Sequence, residues 1–340
     1  MPAEPCAPAP PPGSVVTIET EQALIVWDAA AGREHFVRRA RFASTAADFG
    51  FLVPTPGVPE LAEAPDAVFD RLHEAIQPEV VHRTGLRVVP MAVVLLPLMM
   101  FSRRVGSMPE GAMVTAGPPQ QAVRVIDEKR VAGYQAVVLQ ASDPQALLKW
   151  LADHHYDARP ELQEWLVPYV ANKWTITAFK VDAGAARTVA TQAVRMSFAT
   201  DRPVFPYREP ADQRKKATGW RELLVYLVAP GRQEGSVGGA PWKAVTGWAG
   251  PRPALGGLVG AALPAGTVVP ADAWLTMMVD RQDPRPGTDD LFFAPAALQQ
   301  PVIPPPVVID DRTDLPVPVD LLVMGAAGGL WWRRRRARRA

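Results

Sequence analysis

The sequence predicts a β-rich α+β protein with one main body, a few packed helices and a C-terminal transmembrane helix. Its 340 residues include 37 prolines and 25 glycines, which break regular elements into short pieces. Short runs rich in β-branched and aromatic residues recur between these breaks, as is typical of strands. An uncharged apolar stretch followed by arginines lies near the C-terminus, which favours a membrane anchor.

We divide the chain into four segments by composition. These are a Pro-rich leader at 1–22, an extracytoplasmic β-rich domain at 23–300, a Pro-rich spacer at 301–318, and a membrane anchor with a basic tail at 319–340. Within the domain, residues 230–270 hold ten glycines and six prolines. We expect little regular structure there, since a helical glycine costs about 1 kcal/mol and a proline about 3 kcal/mol.

Three helices and several strands are predicted inside the domain. Residues 65–76 carry apolar side chains at helical spacing, Asp143 and Pro144 form a helix start, and Pro160 opens a third helix. The strands are expected at 23–28, 34–42, 49–54, 123–126, 134–139, 173–181, 194–198, 223–228 and 273–279. We expect the helices at 144–154 and 160–171 to pack on one face of a sheet.

Residues 88–101 are the most hydrophobic stretch, and Pro90 and Pro97 interrupt it. As a helix it would reach about 21 Å, short of the hydrocarbon core of about 30 Å. A buried strand-like core segment is therefore favoured over a membrane span or an interfacial helix.

The tail carries the clearest signal. The predicted anchor comprises Leu321, Leu322, Val323, Met324, Leu330, Trp331 and Trp332, and the cytoplasmic stop comprises Arg333, Arg334, Arg335 and Arg336. Tryptophan prefers the membrane interface and arginine the cytoplasmic side, so we expect a single-pass membrane protein with its body outside the cytoplasm and its C-terminus inside. The expected partners are membrane lipid and an unknown envelope partner or ligand.

The length of this segment leaves an alternative. Residues 321–332 reach about 18 Å as a helix, and extension back to residue 315 gives about 27 Å but includes Asp320. The alternative is a disordered basic tail that binds nucleic acid or anionic lipid. The rest of the chain has 30 basic against 35 acidic residues, so it suggests no nucleic-acid surface.

An extracytoplasmic body requires export. Residues 1–13 have neither a basic nor an apolar signal region, and we expect the signal to lie upstream of the printed start or to have been removed. Cys6 is the single cysteine and reads as a free thiol, with a lipid-bearing cysteine as the alternative.

No catalytic, cofactor-binding or metal-ligating set is predicted. The sequence has no P-loop, dinucleotide-binding or Gly-x-Ser-x-Gly pattern. His154 and His155 are adjacent, which suits a helix end better than a shared metal ion, and His35 reads as a surface residue of a strand. A non-catalytic binding or structural module is therefore favoured, and the alternative is an envelope hydrolase that uses His155 with Asp157 or Glu161.

Several short segments together resemble one bacterial family. They lie at 6–12, 23–28, 34–42, 48–56, 131–134, 138–143, 150–151 and 174–180, and the most characteristic is Asp-Phe-Gly-Phe-Leu-Val-Pro-Thr-Pro at 48–56. These segments are similar to the bacterial domain-of-unknown-function family twenty-three thirty. The resemblance implies an exported protein, often with a C-terminal membrane anchor, and implies no activity and no catalytic residues.

Overall fold

The structure is a computed structural model that describes residues 7–9, 16–46, 48–90, 123–182, 188–216 and 221–317, together with 332, 334 and 335. The chain divides into two compact units. The first comprises Met1–Gln77 and Pro109–Pro304, and the second comprises Pro78–Met108 and Pro305–Ala340.

Strands dominate the structure, with 46% of the described residues in strands and 18% in helices, which confirms the β-rich α+β class. The strands are β1 (Ala7–Ala9), β2 (Val16–Asp28), β3 (Arg33–Ser44), β4 (Asp48–Thr55), β5 (Glu60–Glu63), β6 (Val80–Arg83), β7 (Leu86–Pro90), β8 (Val123–Val131), β9 (Tyr134–Ala141), β10 (Thr175–Asp182), β11 (Thr188–Ala190), β12 (Val194–Ala199), β13 (Val204–Phe205), β14 (Glu222–Ala229), β15 (Gln233–Val237), β16 (Ala240–Pro241), β17 (Val245–Pro251), β18 (Trp274–Asp280), β19 (Leu291–Pro295), β20 (Val307–Asp310) and β21 (Thr313–Val317). The α-helices are α1 (Ala67–Ala75), α2 (Pro144–Asp153), α3 (Pro160–Ala171), α4 (Ala211–Lys216) and α5 (Leu255–Val259), and a 3-10 turn follows at Gly260–Ala262.

The first unit is built on two large sheets. A five-stranded sheet has the order β1-β4-β10-β9-β8, and an eight-stranded sheet has the order β17-β18-β14-β2-β3-β12-β5, with β11 also paired to β3. A shared apolar core contains Phe51 and Phe179 from the smaller sheet and Phe36 and Phe42 from the larger one. A four-stranded sheet, β13-β19-β15-β16, adds Phe293 to the same core.

Helices cover the outer faces of both sheets. Leu147, Leu151 and Leu166 of α2 and α3 pack with Leu139 and Ile176 of the five-stranded sheet, as predicted. Asp143 caps α2 by accepting hydrogen bonds from the main-chain N–H groups of the first turn. The outer face of the eight-stranded sheet is covered by α1 and α5. The resulting order of layers is helices, sheet, core, sheet, helices.

The predicted segment boundaries need correction in two places. The leader predicted at 1–22 already contains most of β2, because Val16 and Ile18 are buried and the strand pairs with β3 from Val16 onward. Residues 230–270 hold β15, β16, β17 and α5, so the prediction of little regular structure is wrong. Their strands find partners in β18 and β19, which composition alone does not reveal.

The second unit contains two parallel strand pairs. β6 pairs with β20, and β7 pairs with β21, where Val89 is opposite Pro316. The predicted spacer at 301–318 therefore contains two hydrogen-bonded strands rather than a free extended linker. A proline is tolerated here because a two-stranded pair leaves one side of each strand without a ladder.

Two predictions fall largely on residues that the structure does not describe. Of the stretch at 88–101, only 88–90 are described, and they lie in β7 of the second unit. Of the anchor and stop, Trp332, Arg334 and Arg335 are described, and all three are exposed. Within the described part of the chain, no helix has both the length and the apolar character needed to cross a bilayer.

Candidate functional site

A polar groove lies on the α1 side of the eight-stranded sheet, in the first unit. It consists of two adjoining cavities of about 350 Å³ and 530 Å³, which share Gln22 of β2 and Glu222 of β14. The first cavity is also lined by Thr20, Glu21, Arg39, Ala40, Arg41, Asp66, Ala190 and Thr191. The second is also lined by Phe69, Asp70, His73, Glu74, Gln77 and Leu224.

Arg39 fixes the geometry of this polar groove. Its Nε donates to Gln22 Oε1 at 2.5 Å, and its two terminal nitrogens donate to the Asp66 carbonyl oxygen at 3.2 Å and to Asp70 Oδ1 at 2.9 Å. The guanidinium carbon also lies 4.8 Å from the centre of the Phe69 ring. One arginine of β3 therefore holds α1 against the sheet and orders the groove wall before any ligand arrives.

The groove carboxylates are held as well. Asp66 Oδ1 accepts from the Ala193 N–H at 2.8 Å, and Glu222 Oε2 accepts from Arg281 Nε at 2.7 Å. Glu74 is exposed on α1. A wall of fixed donors and acceptors of both charges suits recognition of a polar ligand by hydrogen bonds.

Thr191 and His73 of the groove lining both form local contacts. Thr191 Oγ1 donates to the Ala40 carbonyl oxygen at 2.9 Å and accepts from the Ala40 N–H, so it ties a loop to β3. His73 Nε2 lies 2.7 Å from Gln77 Nε2 on its own helix. Nucleophilic chemistry needs a hydroxyl or thiol in contact with a general base, and the described contacts of the lining provide no such pair.

The two adjacent histidines have different surroundings. His154 ends α2, stacks on Trp150 with ring centroids 3.8 Å apart, and its Nδ1 lies 2.7 Å from the Trp150 carbonyl oxygen. His155 adopts φ +64° and is exposed. Asp157 pairs with Arg159, whose Nε is 3.0 Å from Asp212 Oδ2. Among the described contacts, none joins His155 to Asp157 or Glu161.

His35 departs from its prediction. It lies in β3 as expected, but it is 3% exposed rather than on a solvated face, and its Nδ1 is 2.9 Å from Ser197 Oγ. Burial lowers the pKa of His35, and the nearby Arg33 and Arg195 lower it further. No sequence signal marks this pair, because Ser197 is 162 residues away and only the strand register brings it opposite His35.

Buried carboxylates elsewhere in the first unit are structural rather than part of the groove. Asp290 accepts from Tyr169 Oη at 2.9 Å and from the Arg208 N–H at 3.2 Å, and burial raises its pKa to about 6. Burial also raises the pKa of Glu209, although its ion pair with Arg221 opposes the shift. These groups are enclosed between packed elements and do not line either cavity of the groove.

One protein-family profile matches most of this chain. The profile of an uncharacterized protein conserved in bacteria, DUF2330, matches residues 3–248. The chain belongs to the DUF2330 family. The match begins before β1 and ends within β17, so it includes the groove and most of both large sheets. This confirms the resemblance that the short motifs indicated.

Other comparisons add little to the description of this DUF2330 chain. No protein of curated function matches its sequence. The crystal structure of baculovirus P35 is similar over 86% of this chain and 97% of that one, with 8% sequence identity and a TM-score of 0.37. Similarity at that level establishes neither a shared fold nor a shared activity.

The remaining candidate ligands of the DUF2330 chain are its histidine, acidic and cysteine side chains. Within the described ranges, no group of three or more His, Cys, Asp or Glu side chains is placed to hold a metal ion. His82, which lacks an obvious partner in the sequence, has its Nδ1 2.5 Å from Asp311 Oδ2 in the second unit. Cys6 lies outside the described residues.

Proposed function

We propose that this DUF2330 protein is a membrane-anchored, extracytoplasmic protein of the bacterial cell envelope whose body is a non-catalytic binding module. The observation that carries the proposal is the parallel pairing of β7 with β21. Parallel strands run in the same direction, so β7 and β21 both end on the same side of this pair. The sequence continues from both into apolar residues, at 91–101 and at 321–332.

The second of these apolar segments is the proposed anchor. Each strongly apolar residue gains on the order of 0.3–0.6 kcal/mol in the membrane, so residues 321–332 alone are marginal. Trp331 and Trp332 at the interface supply the additional hold, and the arginines from Arg333 onward set the orientation. The same residues support a cytoplasmic C-terminus and a body outside.

The polar groove supports the binding role. Arg39, Asp66 and Glu222 of its lining are held by ion pairs and hydrogen bonds, and the described contacts of the lining include no hydroxyl paired with a general base. Fixed polar walls around cavities of about 350 Å³ and 530 Å³ suit a polar ligand or a partner segment with polar side chains.

The anchor is tested by deletion of residues 318–340, which leaves both strand pairs of the second unit intact. We expect the deletion to move the exported protein from the membrane pellet to the soluble fraction. A matched variant replaces Arg333 to Arg336 with alanine and keeps the apolar segment. It should remain in the pellet after a high-salt wash. Retention of the deletion variant in that pellet would refute the anchor and direct attention to 91–101.

Orientation is tested by thiol labelling in the Cys6→Ser background, which removes the single cysteine of the chain. Ala271→Cys lies in an exposed turn of the first unit, and Ala337→Cys lies in the basic tail. A membrane-impermeant maleimide added to intact cells should label Ala271→Cys and spare Ala337→Cys until the cells are opened. The reverse pattern would contradict the proposed topology.

The binding role is tested by a photo-crosslinking residue at Gln77, which is exposed at the rim of the second cavity. The control carries the same residue at Gln135, which is exposed on β9 of the other large sheet. We expect a discrete adduct in cells from position 77 only. Equal adducts from both positions, or none from either, would count against the groove as a binding site.

A further inference from the structure

A second polar cluster lies on the same face of the eight-stranded sheet as the polar groove, at the opposite end of β3. His35 of β3 is directly opposite Ser197 of β12, and Ser197 is directly opposite Glu60 of β5. Arg33 lies two residues before His35, and Arg195 lies two residues before Ser197. Both arginines therefore share the face of His35 and Ser197. We call Arg33, His35, Glu60, Arg195 and Ser197 the arginine cluster.

The floor of the arginine cluster is buried and ordered. His35 is 3% exposed and Ser197 is fully buried, and their side chains are 2.9 Å apart. Arg33 donates through Nη2 to the Ser197 carbonyl oxygen at 3.1 Å. The guanidinium group of Arg33 is therefore held by main chain, while 38% of its side chain stays exposed.

Arg195 is buried without a full set of hydrogen bonds. Its side chain is 9% exposed, and its Nε has no acceptor among the described residues. Its ion pair is with Glu60, where Nη2 and Oε1 are 3.5 Å apart. Buried charged donors are normally hydrogen-bonded, so this guanidinium is short of an acceptor in its present surroundings.

Glu60 is a loosely held counter-ion. Its side chain is 59% exposed on the edge strand β5, and its other carboxylate oxygen is 3.5 Å from Arg33 Nη2. One exposed carboxylate thus lies between the two guanidinium groups, and Asp28 of β2, directly opposite Arg33, is a second acidic residue beside the cluster. Burial lowers the pKa of Arg195, Glu60 opposes that shift, and Arg33 adds to it to a smaller extent.

We propose that the arginine cluster is an oxyanion-binding site, in which a phosphate or carboxylate group of a ligand displaces Glu60 and lies between Arg33 and Arg195. Guanidinium groups present planar forks of donors that match both oxyanions, and such charge-assisted hydrogen bonds are short and strong. The ligand oxygens supply the acceptors that Arg195 lacks, and Glu60 is free to turn into solvent because it is at the edge of the sheet.

The test is calorimetric titration of the full-length protein in detergent with inorganic phosphate and, separately, with acetate, at constant ionic strength. We expect saturable binding of at least one of these ions. Arg33→Gln should weaken that binding at least tenfold. Glu60→Gln should tighten it several-fold, because the competing carboxylate is gone. Both side chains are partly exposed, so neither variant depends on refolding of the core.

The control is Arg124→Gln, which removes an exposed arginine from β8 of the other large sheet and should leave binding unchanged. Binding of phosphate alone assigns a phosphate-bearing ligand, and binding of acetate with the same variant pattern assigns a carboxylate. Failure of both ions to bind the wild type and Glu60→Gln would overturn the proposal. Binding that Arg33→Gln does not weaken, or that Glu60→Gln does not tighten, would overturn it equally.

Discussion

Arg38 and Glu21 form an ion pair in the core, directly behind the polar groove, and replacing Arg38 with methionine should destabilise the protein severely. Both side chains are 1% exposed. The Arg38 guanidinium also lies 4.8 Å from the centre of the Phe51 ring, between the two large sheets. Arg38→Met leaves the Glu21 carboxylate buried without this partner.

The magnitude follows from that burial. Loss of one partner from a buried ion pair costs about 3–5 kcal/mol, because the remaining charge stays in an apolar surrounding. Replacing both partners together, as Glu21→Leu with Arg38→Met, removes the charge as well and is close to neutral in comparable cores. We therefore expect the double variant to be more stable than Arg38→Met alone.

The assay is urea unfolding of the full-length protein followed by tryptophan fluorescence, with Arg41→Met as the control. Arg41 lies three residues further along β3 and is exposed, so its replacement should change the free energy of unfolding by about 0.5 kcal/mol at most. A loss below about 1 kcal/mol for Arg38→Met, or a double variant less stable than Arg38→Met, would refute the reasoning.

Two further predictions concern packing and pH. Gly50→Ala should lower the unfolding free energy by about 1–3 kcal/mol, because an added Cβ would lie 2.2 Å from the buried Tyr156 ring. Gly257→Ala in α5, where an added Cβ meets nothing within 4 Å, should instead raise it by about 0.5–1 kcal/mol. Equal thermal shifts for the two variants would contradict this. Since burial raises the pKa of Asp290 to about 6, its protonation stabilises the fold below the unfolded pKa, and this contribution is lost as the pH rises through about 6. Asp290→Asn should therefore gain stability relative to the wild type on going from pH 4 to pH 7.5, by up to about 3 kcal/mol, and unfolding curves whose difference stays constant with pH would show that Asp290 does not titrate in this range.

Local sequence signals were sufficient for several elements of the fold. Asp143 and Pro144 mark the start of α2 because capping and the fixed φ of proline act within one turn. Alternating and β-branched residues locate β3, β10 and β14 in the same way. The short motif at 48–56, whose first eight residues form β4, was specific enough to indicate the family.

The candidate sites depended on pairing that no local pattern encodes. The groove exists because β14 lies parallel to β2, with Glu222 opposite Thr20 across 202 positions of sequence. The arginine cluster exists because β12 joins β3 and β5 in one register. A one-residue change in either register would turn these side chains to the other face of the sheet.

The sequence by itself determined the strand-rich composition, the capped helices, the family and the apolar and basic character of the tail, because each of these is a property of neighbouring residues. Tertiary structure alone decided that His35 is buried, that residues 230–270 contain strands, and that β20 and β21 pair with β6 and β7. The physical reason is that a side chain's burial and a strand's hydrogen bonds are set by whichever distant segment covers or pairs with it, and the identity of that segment is not written in the residues on either side.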